Sequence, residues 1–221
     1  MTKKILLVLM AVAFSTAAMS QGVKVGLRGG LNLADMKYEP LDQTNGIPNG
    51  NSLASYNLGL VLDFGIINGL SIQTGAGISG KGSKVEWISG SFKYTEKMNP
   101  MYVEVPLDVV FKPNIGANTR LYFGVGPYLG IGVAGKASFT GNTPVGDYYS
   151  NHTLKFGNGN NDDLKRLDAG GEVMAGFEFN NITLGARYGL SFTNNAPAGN
   201  NNAAKILKNK VLSIDAGFFF Q

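Results

Sequence analysis

The segment Leu121-Tyr122-Phe123-Gly124-Val125-Gly126-Pro127-Tyr128-Leu129-Gly130-Ile131-Gly132-Val133 carries the pattern that specifies the architecture. Leu121, Phe123, Val125, Leu129, Ile131 and Val133 are apolar, and they alternate with Tyr122, Gly124, Gly126, Tyr128, Gly130 and Gly132. A strict two-residue period of this length belongs to a β-strand whose two faces meet different surroundings. The same alternation recurs over residues 23–33, 56–66, 70–78, 103–111, 173–179, 182–192 and 212–220. The sequence therefore predicts eight strands, each near the roughly 9–11 residues that a tilted strand needs to cross a bilayer. A helix-compatible apolar run occurs only near the N-terminus.

The connections alternate too. Ile67-Asn68-Gly69, Pro113 to Thr119 and Asn180-Asn181 are short. Met36–Ser55, Lys81–Pro100, Lys136–Arg166 and Asn194–Lys205 are long and polar. Short turns at one end and long loops at the other are the pattern of an outer-membrane barrel, with the short turns periplasmic. Within the second long segment, Val85, Trp87, Ile88, Phe92 and Tyr94 suggest that strands three and four extend above the membrane, closing at Ile88-Ser89-Gly90-Ser91.

Alternation alone fits either a soluble barrel, apolar inside, or a membrane barrel, apolar outside. Composition separates them. Charged residues make up 15% of the chain, against a usual share of about 25%. The apolar register carries no charge, and the opposite register is rich in glycine and serine. A soluble exterior needs many charges, whereas a narrow polar lumen needs small residues. Glycine, at 31 of 221 residues, is about twice its ordinary share of roughly 7%. It has no collagen period and sits between apolar residues, which excludes collagen and disorder. Scarce charge argues against a nucleic-acid partner. The absence of cysteine excludes disulfides, thiolate metal sites and a cysteine nucleophile.

Residues 1–20 read as a secretory signal peptide. Lys3 and Lys4 form the basic start, Ile5 to Phe14 the apolar run, and Ala18-Met19-Ser20 the cleavage site before Gln21. The apolar run is too short to span a bilayer. Cleavage removes two lysines and lowers the formal net charge from +4 to +2. Residues 21–221 are then the barrel domain.

Tyr102-Val103-Glu104-Val105-Pro106-Leu107 resembles a hallmark of the PorT-like outer-membrane β-barrel domain family of the Bacteroidetes, whose fourth strand reads roughly Tyr-Leu-Glu-Ile-Pro-Leu. Gly126-Pro127-Tyr128 and Asp168-Ala169-Gly170 look like further features of it. The family motif residues are Tyr102, Glu104 and Pro106. The resemblance spans 21–221 and implies an eight-stranded barrel in the bacterial outer membrane. It also implies insertion by the barrel-assembly machinery, for which Phe220 stands in the lipid-facing register ahead of the trailing Gln221. It implies no settled activity, since some relatives serve protein secretion.

Ten charges fall in the lumen register: Lys24, Arg28, Asp63, Glu104, Asp108, Asp168, Glu172, Glu178, Arg187 and Asp215. Buried charges must pair, and Arg28 and Arg187 are placed to meet Glu104 across a narrow barrel. We expect a lumen ion network built on Arg28, Asp63, Glu104, Asp108, Arg187 and Asp215. His152, the one histidine, lies beside Asp147, Tyr148, Tyr149 and Ser150 in the longest loop. Catalysis would need a nucleophile, base and orienting acid in reach of one another, and a solvated loop contains such residues by chance. Asp162-Asp163 is a single acidic pair and a weak metal signal. Gly75-Ala76-Gly77-Ile78-Ser79-Gly80 matches a nucleotide-binding spacing but lies in a strand rather than before a helix. Tyr148, Tyr149, Trp87 and the Asn158–Asn161 and Asn200–Asn202 tracts leave room for a protein or glycan partner at the loops.

The expected protein is thus a small outer-membrane barrel with a structural or interaction role. Its lumen is filled by side chains, and it has no catalytic site, metal or cofactor. The alternatives are a small-solute channel or an accessory of protein secretion, and more remotely a loop-based membrane enzyme.

Overall fold

The computed structural model describes residues 22–39, 52–89, 92–143, 146–199 and 206–220. The expected signal peptide, the Gly90-Ser91 turn and the Asn200–Asn202 tract lie outside the described residues. Among the described residues there are ten strands: β1 (Val23–Glu39), β2 (Leu53–Ile67), β3 (Leu70–Gly80), β4 (Ser83–Ser89), β5 (Phe92–Phe111), β6 (Thr119–Thr143), β7 (Gly146–Thr153), β8 (Leu167–Phe179), β9 (Ile182–Ser191) and β10 (Ile206–Phe220). Eight of them form a closed antiparallel ring in the order β1-β2-β3-β5-β6-β8-β9-β10. The ring closes where β10 pairs with β1, from Val25 opposite Phe220 to Glu39 opposite Ile206.

β4 and β7 stand outside the ring. β4 pairs with the start of β5, and β7 pairs with the end of β6. Together β4-β5-β6-β7 form an arm that continues the barrel wall beyond its loop end. The expected extension of strands three and four is this β4–β5 hairpin, with Ser89 opposite Phe92.

The expected long loop Lys136–Arg166 is corrected: β6 runs on to Thr143, and β7 returns from Gly146 to Thr153. A bulge explains why alternation hid this. The β5–β6 register slips between Met101 and Tyr102. Beyond it the outward positions of β6 become Lys136, Ser138 and Thr140. The phase inverts and the outer face turns polar, so the apolar period stops although the strand does not.

Turn chemistry sets the other end. Gly69 has a φ of 82° and Asn180 one of 51°. Glycine adopts this left-handed region without steric cost, and asparagine tolerates it better than most residues. These turns and the 112–118 connection lie at the same end of the ring as the start of β1 and the end of β10.

The barrel is inside out relative to a soluble protein. Leu31, Leu58, Leu60, Leu107, Val125, Leu129, Leu184 and Ile214 are each at least half exposed on the outer face. Asn32, Asp63, Asp108, Asp168, Glu172, Glu178 and Asp215 are buried inside. Phe111, Phe123, Phe179, Phe218 and Phe220 form an aromatic belt near the turn end, and Tyr56, Tyr188 and Phe192 lie toward the loop end. An apolar band between two aromatic girdles is a lipid-facing surface.

A charge placed in the middle of this band should be costly. Leu60→Arg, opposite Leu27 and Ala76, is expected to lower unfolding stability in lipid vesicles by about 2–4 kcal/mol. Tyr56→Arg, near the loop-end girdle, should cost about 0–1 kcal/mol. Urea titrations followed by tryptophan fluorescence would check the contrast.

Candidate functional site

The polar side chains of the lumen gather at three levels. At the turn end, the Lys112 ammonium contacts Asp63 and lies 3.0 Å from Glu178 Oε2. Gln73 Nε2 donates to Asp63 Oδ2 at 2.8 Å. Lys24 and Arg120 approach Glu178 Oε1 at 3.5 and 4.0 Å from the wet rim. Lys112 immediately follows β5, in phase with the lumen-facing Asp108 and Val110.

At mid-height, Arg187 reaches Asp215 at 3.2 Å and Glu172 at 3.6 Å. Asn57 Nδ2 donates to Asp215 Oδ1 at 2.9 Å and to Asn32 Oδ1 at 2.7 Å. Ser213 Oγ donates to the same Asn32 oxygen at 2.8 Å. Arg28 donates to the Met174 sulfur at 3.5 Å. Asp108 is fully buried, and neither carboxylate oxygen has a hydrogen-bond partner among the described residues. Gly126 leaves room for it: a Cβ there would lie 2.6 Å from Asp108 Oδ1.

The loop-end level centres on Lys81, which is 2% exposed. Its ammonium lies 2.5 Å from Glu104 Oε1 and 2.8 Å from Asp168 Oδ2. It also sits 4.1 Å from the Tyr128 ring centroid and 5.4 Å from that of Tyr102. Asp168 accepts further hydrogen bonds from Ser191 (2.5 Å), Asn209 (3.1 Å), Thr193 (3.2 Å) and Asn195 (3.2 Å). A buried cation costs several kcal/mol unless paired and hydrogen-bonded. Here two carboxylates and two aromatic faces receive it. Gly170 makes the closeness possible, because a Cβ there would meet the Tyr128 ring at 2.5 Å.

The three sequence motifs thus meet around one residue outside all of them: Tyr102 and Glu104, Tyr128, and Asp168 surround Lys81. Pro106 sits where the β3–β5 ladder skips two pairs, between Thr74 opposite Leu107 and Gly77 opposite Glu104. Thr74 Oγ1 donates to the Pro106 carbonyl at 2.7 Å.

The expected meeting of Arg28 and Arg187 with Glu104 is corrected, since Glu104 pairs with Lys81 and Arg187 pairs with Glu172 and Asp215. Lys81 and Lys112 are the residues that sequence reasoning missed. The signal was present as an imbalance, with seven lumen carboxylates against three cations in the expected set. Both lysines lie one residue past a strand end, outside the alternating stretches.

Above the Lys81 level, the segment 154–166 folds over the barrel mouth. Leu154 and Leu164 pack with Met36, Ala137, Ala196 and Leu207, and Met98 and Phe156 cover them. Phe156 meets Tyr102 edge-on at 5.9 Å. Backbone hydrogen bonds anchor the segment, from Gly132 N to Arg166 O (2.7 Å) and from Lys165 N to Asn195 O (2.8 Å). Small cavities of about 40, 10 and 20 Å³ lie beside Arg28, Lys112 and Lys81, each with room for one or a few waters.

His152 is on β7, exposed, with Nε2 3.3 Å from Asp163 Oδ1. Asp163 Oδ2 accepts from the Lys155 backbone at 2.8 Å, and Asp162 Oδ2 accepts from Gly159 at 2.7 Å. Each acid of the pair thus caps local backbone. Among the described residues, no group of three or more His, Cys, Asp or Glu could hold a metal ion.

Residues 16–196 match the family described as outer membrane protein beta-barrel domain. No curated protein matches the chain. Solved structures similar to it include Ail, the attachment invasion locus protein of Yersinia pestis (14% identity, 89% of this chain and 98% of that one, TM-score 0.37). Neisserial surface protein A is another (12%, 90% and 99%, 0.41). The outer membrane protein OprG of Pseudomonas aeruginosa is a third (12%, 91% and 97%, 0.43).

Removing Lys81 would leave Glu104 and Asp168 buried without their cation. Lys81→Ala is expected to cost about 3–5 kcal/mol of unfolding stability. The exposed Lys155→Ala should change it by less than about 0.5 kcal/mol. Urea midpoints in vesicles, with heat-modified gel mobility as a check on folding, would measure both.

Proposed function

The chain belongs to the outer membrane protein beta-barrel domain family, and from that premise we propose a sealed, non-catalytic barrel that presents its loop-end arm to partners outside the cell. The family fixes its location as the bacterial outer membrane. The observation that carries the proposal is Lys81, held by Glu104 and Asp168 across the lumen directly beneath an apolar mouth. A solute path would have to break this ion cluster and expel Leu154, Phe156 and Leu164 from the mouth together. An eight-stranded ring has an interior that side chains just fill.

In this proposal Arg28, Asp63, Asp108, Arg187 and Asp215 serve with Lys81 and Lys112 to fill and balance the lumen rather than to pass ions. The His152–Asp163 contact supports a loop-ordering role, since Asp163 also holds the Lys155 backbone. Membership of the PorT-like branch is supported by the convergence of its three motifs on Lys81. We also propose that residues 1–20 are removed on export, which the mass of the protein from purified outer membranes would test. The barrel-assembly machinery is the expected route of insertion.

Planar-bilayer recording separates a sealed barrel from a channel. The native protein is expected to give no steady conductance at moderate voltage. Resolved unitary openings would overturn the proposal and favour a small-solute channel. If the mouth is the outer seal, Leu154→Asp combined with Leu164→Asp should admit small reagents to a cysteine placed at Ser213, which the intact protein should protect.

A further inference from the structure

We infer that the outward face of the arm, at Lys84, Lys97 and Lys136, binds phosphate groups of the outer-leaflet glycolipids surrounding the barrel. The inference needs only the outer-membrane location and the register of the arm, and it stands whether or not the lumen conducts.

Register fixes the face. Met98 and Ala137 are opposite one another and pack into the apolar cluster over the mouth. Val85 is buried on the same side. Lys84, Lys97 and Lys136 each neighbour one of these residues in sequence and therefore point outward. Lys84 is directly opposite Lys97, and Lys97 is opposite Ser138. Lys136 lies two residues nearer the membrane on β6 and faces Thr153 of β7. Asn151, opposite Ser138, completes a row of hydrogen-bonding side chains.

Height follows from strand geometry. The apolar outer face of β5 runs from Phe111 through Val103 to Met101, a span of ten residues. At about 3.3 Å per residue and a tilt near 40°, that rise is roughly 25 Å, the height of the apolar band of a membrane barrel. Met101 therefore marks the outer edge of the hydrocarbon. Lys97 is four residues further on, and Lys136 two residues beyond Ala134, the partner of Met101. The lysines stand at headgroup level.

Charge defines the occupant. Like charges directly opposite on neighbouring strands are destabilising, and the one carboxylate paired with this face among the described residues, Glu86, is shared by Lys84 and Lys93, so the face keeps a net positive charge that calls for a further anion. Glu86, opposite Thr95 one row higher, lies 2.7 Å from Lys84 and 3.6 Å from Lys93. These lysines hold the Glu86 carboxyl below its usual range through a hydrogen bond and their charge. Lys97 and Lys136 are left without an ion-pair partner among the described residues. A phosphate beside them would accept from two ammonium groups, the Ser138 hydroxyl and the Asn151 amide, which suits a phosphorylated lipid headgroup.

The test uses the full-length protein in detergent micelles doped with bisphosphorylated lipid A, its dephosphorylated form, or neither, with bound lipid counted by native mass spectrometry. The native protein is expected to retain the bisphosphorylated lipid at least tenfold better than the dephosphorylated one, with the preference falling as salt rises. K84Q/K97Q/K136Q should lose that preference while keeping its heat-modified gel shift. Displacement by millimolar inorganic phosphate would reassign the site to free phosphate. Equal retention of the two lipids, or an undiminished preference in the folded triple variant, would overturn the inference. K155Q, whose lysine lies outside the patch, should behave as native.

Discussion

In hydrocarbon an unpaired peptide group costs several kcal/mol, because no water replaces the missing partner. Each of the eight wall strands is hydrogen-bonded on both sides, and the β1–β10 seam completes the ring. Everything else follows from this closure. A closed ring of eight strands has a narrow interior, so polar side chains entering it must interdigitate. Glycine at positions such as 126 and 170 gives them the space. Most charges that enter also pair with one another, around Lys112, Arg187 and Lys81, while Asp108 stays buried without a hydrogen-bond partner among the described residues.

The lipid face was almost wholly legible in the sequence. Leu27, Leu60, Leu107, Val125, Leu184 and Ile214 declare themselves because lipid accepts only apolar side chains on that register. The short turns at Asn68-Gly69 and Asn180-Asn181 were legible because their backbone conformations favour those residue types. The lumen was legible in membership but not in pairing. Alternation tells which face a side chain occupies, yet Glu104 finds Lys81 through three-dimensional closure, which no local period encodes. The arm was half legible. The β4–β5 hairpin kept its alternation at Val85 and Tyr94, whereas the end of β6 was hidden by the phase change at the Met101–Tyr102 bulge, and β7, exposed along its whole length, has no alternation to show.

The two ends of the molecule differ for a physical reason. At the turn end, short connections leave only ring strands, and the network there opens to water through Lys24 and Arg120. At the loop end, the arm and the folded segment 154–166 add a small apolar core above the ion clusters. This core shields the Lys81 level from water and strengthens its electrostatics. Aromatic contacts from Phe92 through Tyr94 and Phe139 to Tyr148, each between 5.9 and 6.4 Å, stiffen the arm. A rigid arm holds its outward lysines at a fixed height over the lipid surface.

If Lys81, Glu104 and Asp168 act as one coupled unit beneath the mouth, a double-mutant cycle of Lys81→Met and Asp168→Asn will register it. With unfolding free energies measured in the same vesicles, the two losses should be non-additive by about 2 kcal/mol, as expected of directly paired buried groups. Losses that simply add would contradict a direct Lys81–Asp168 interaction and the sealed lumen built on it.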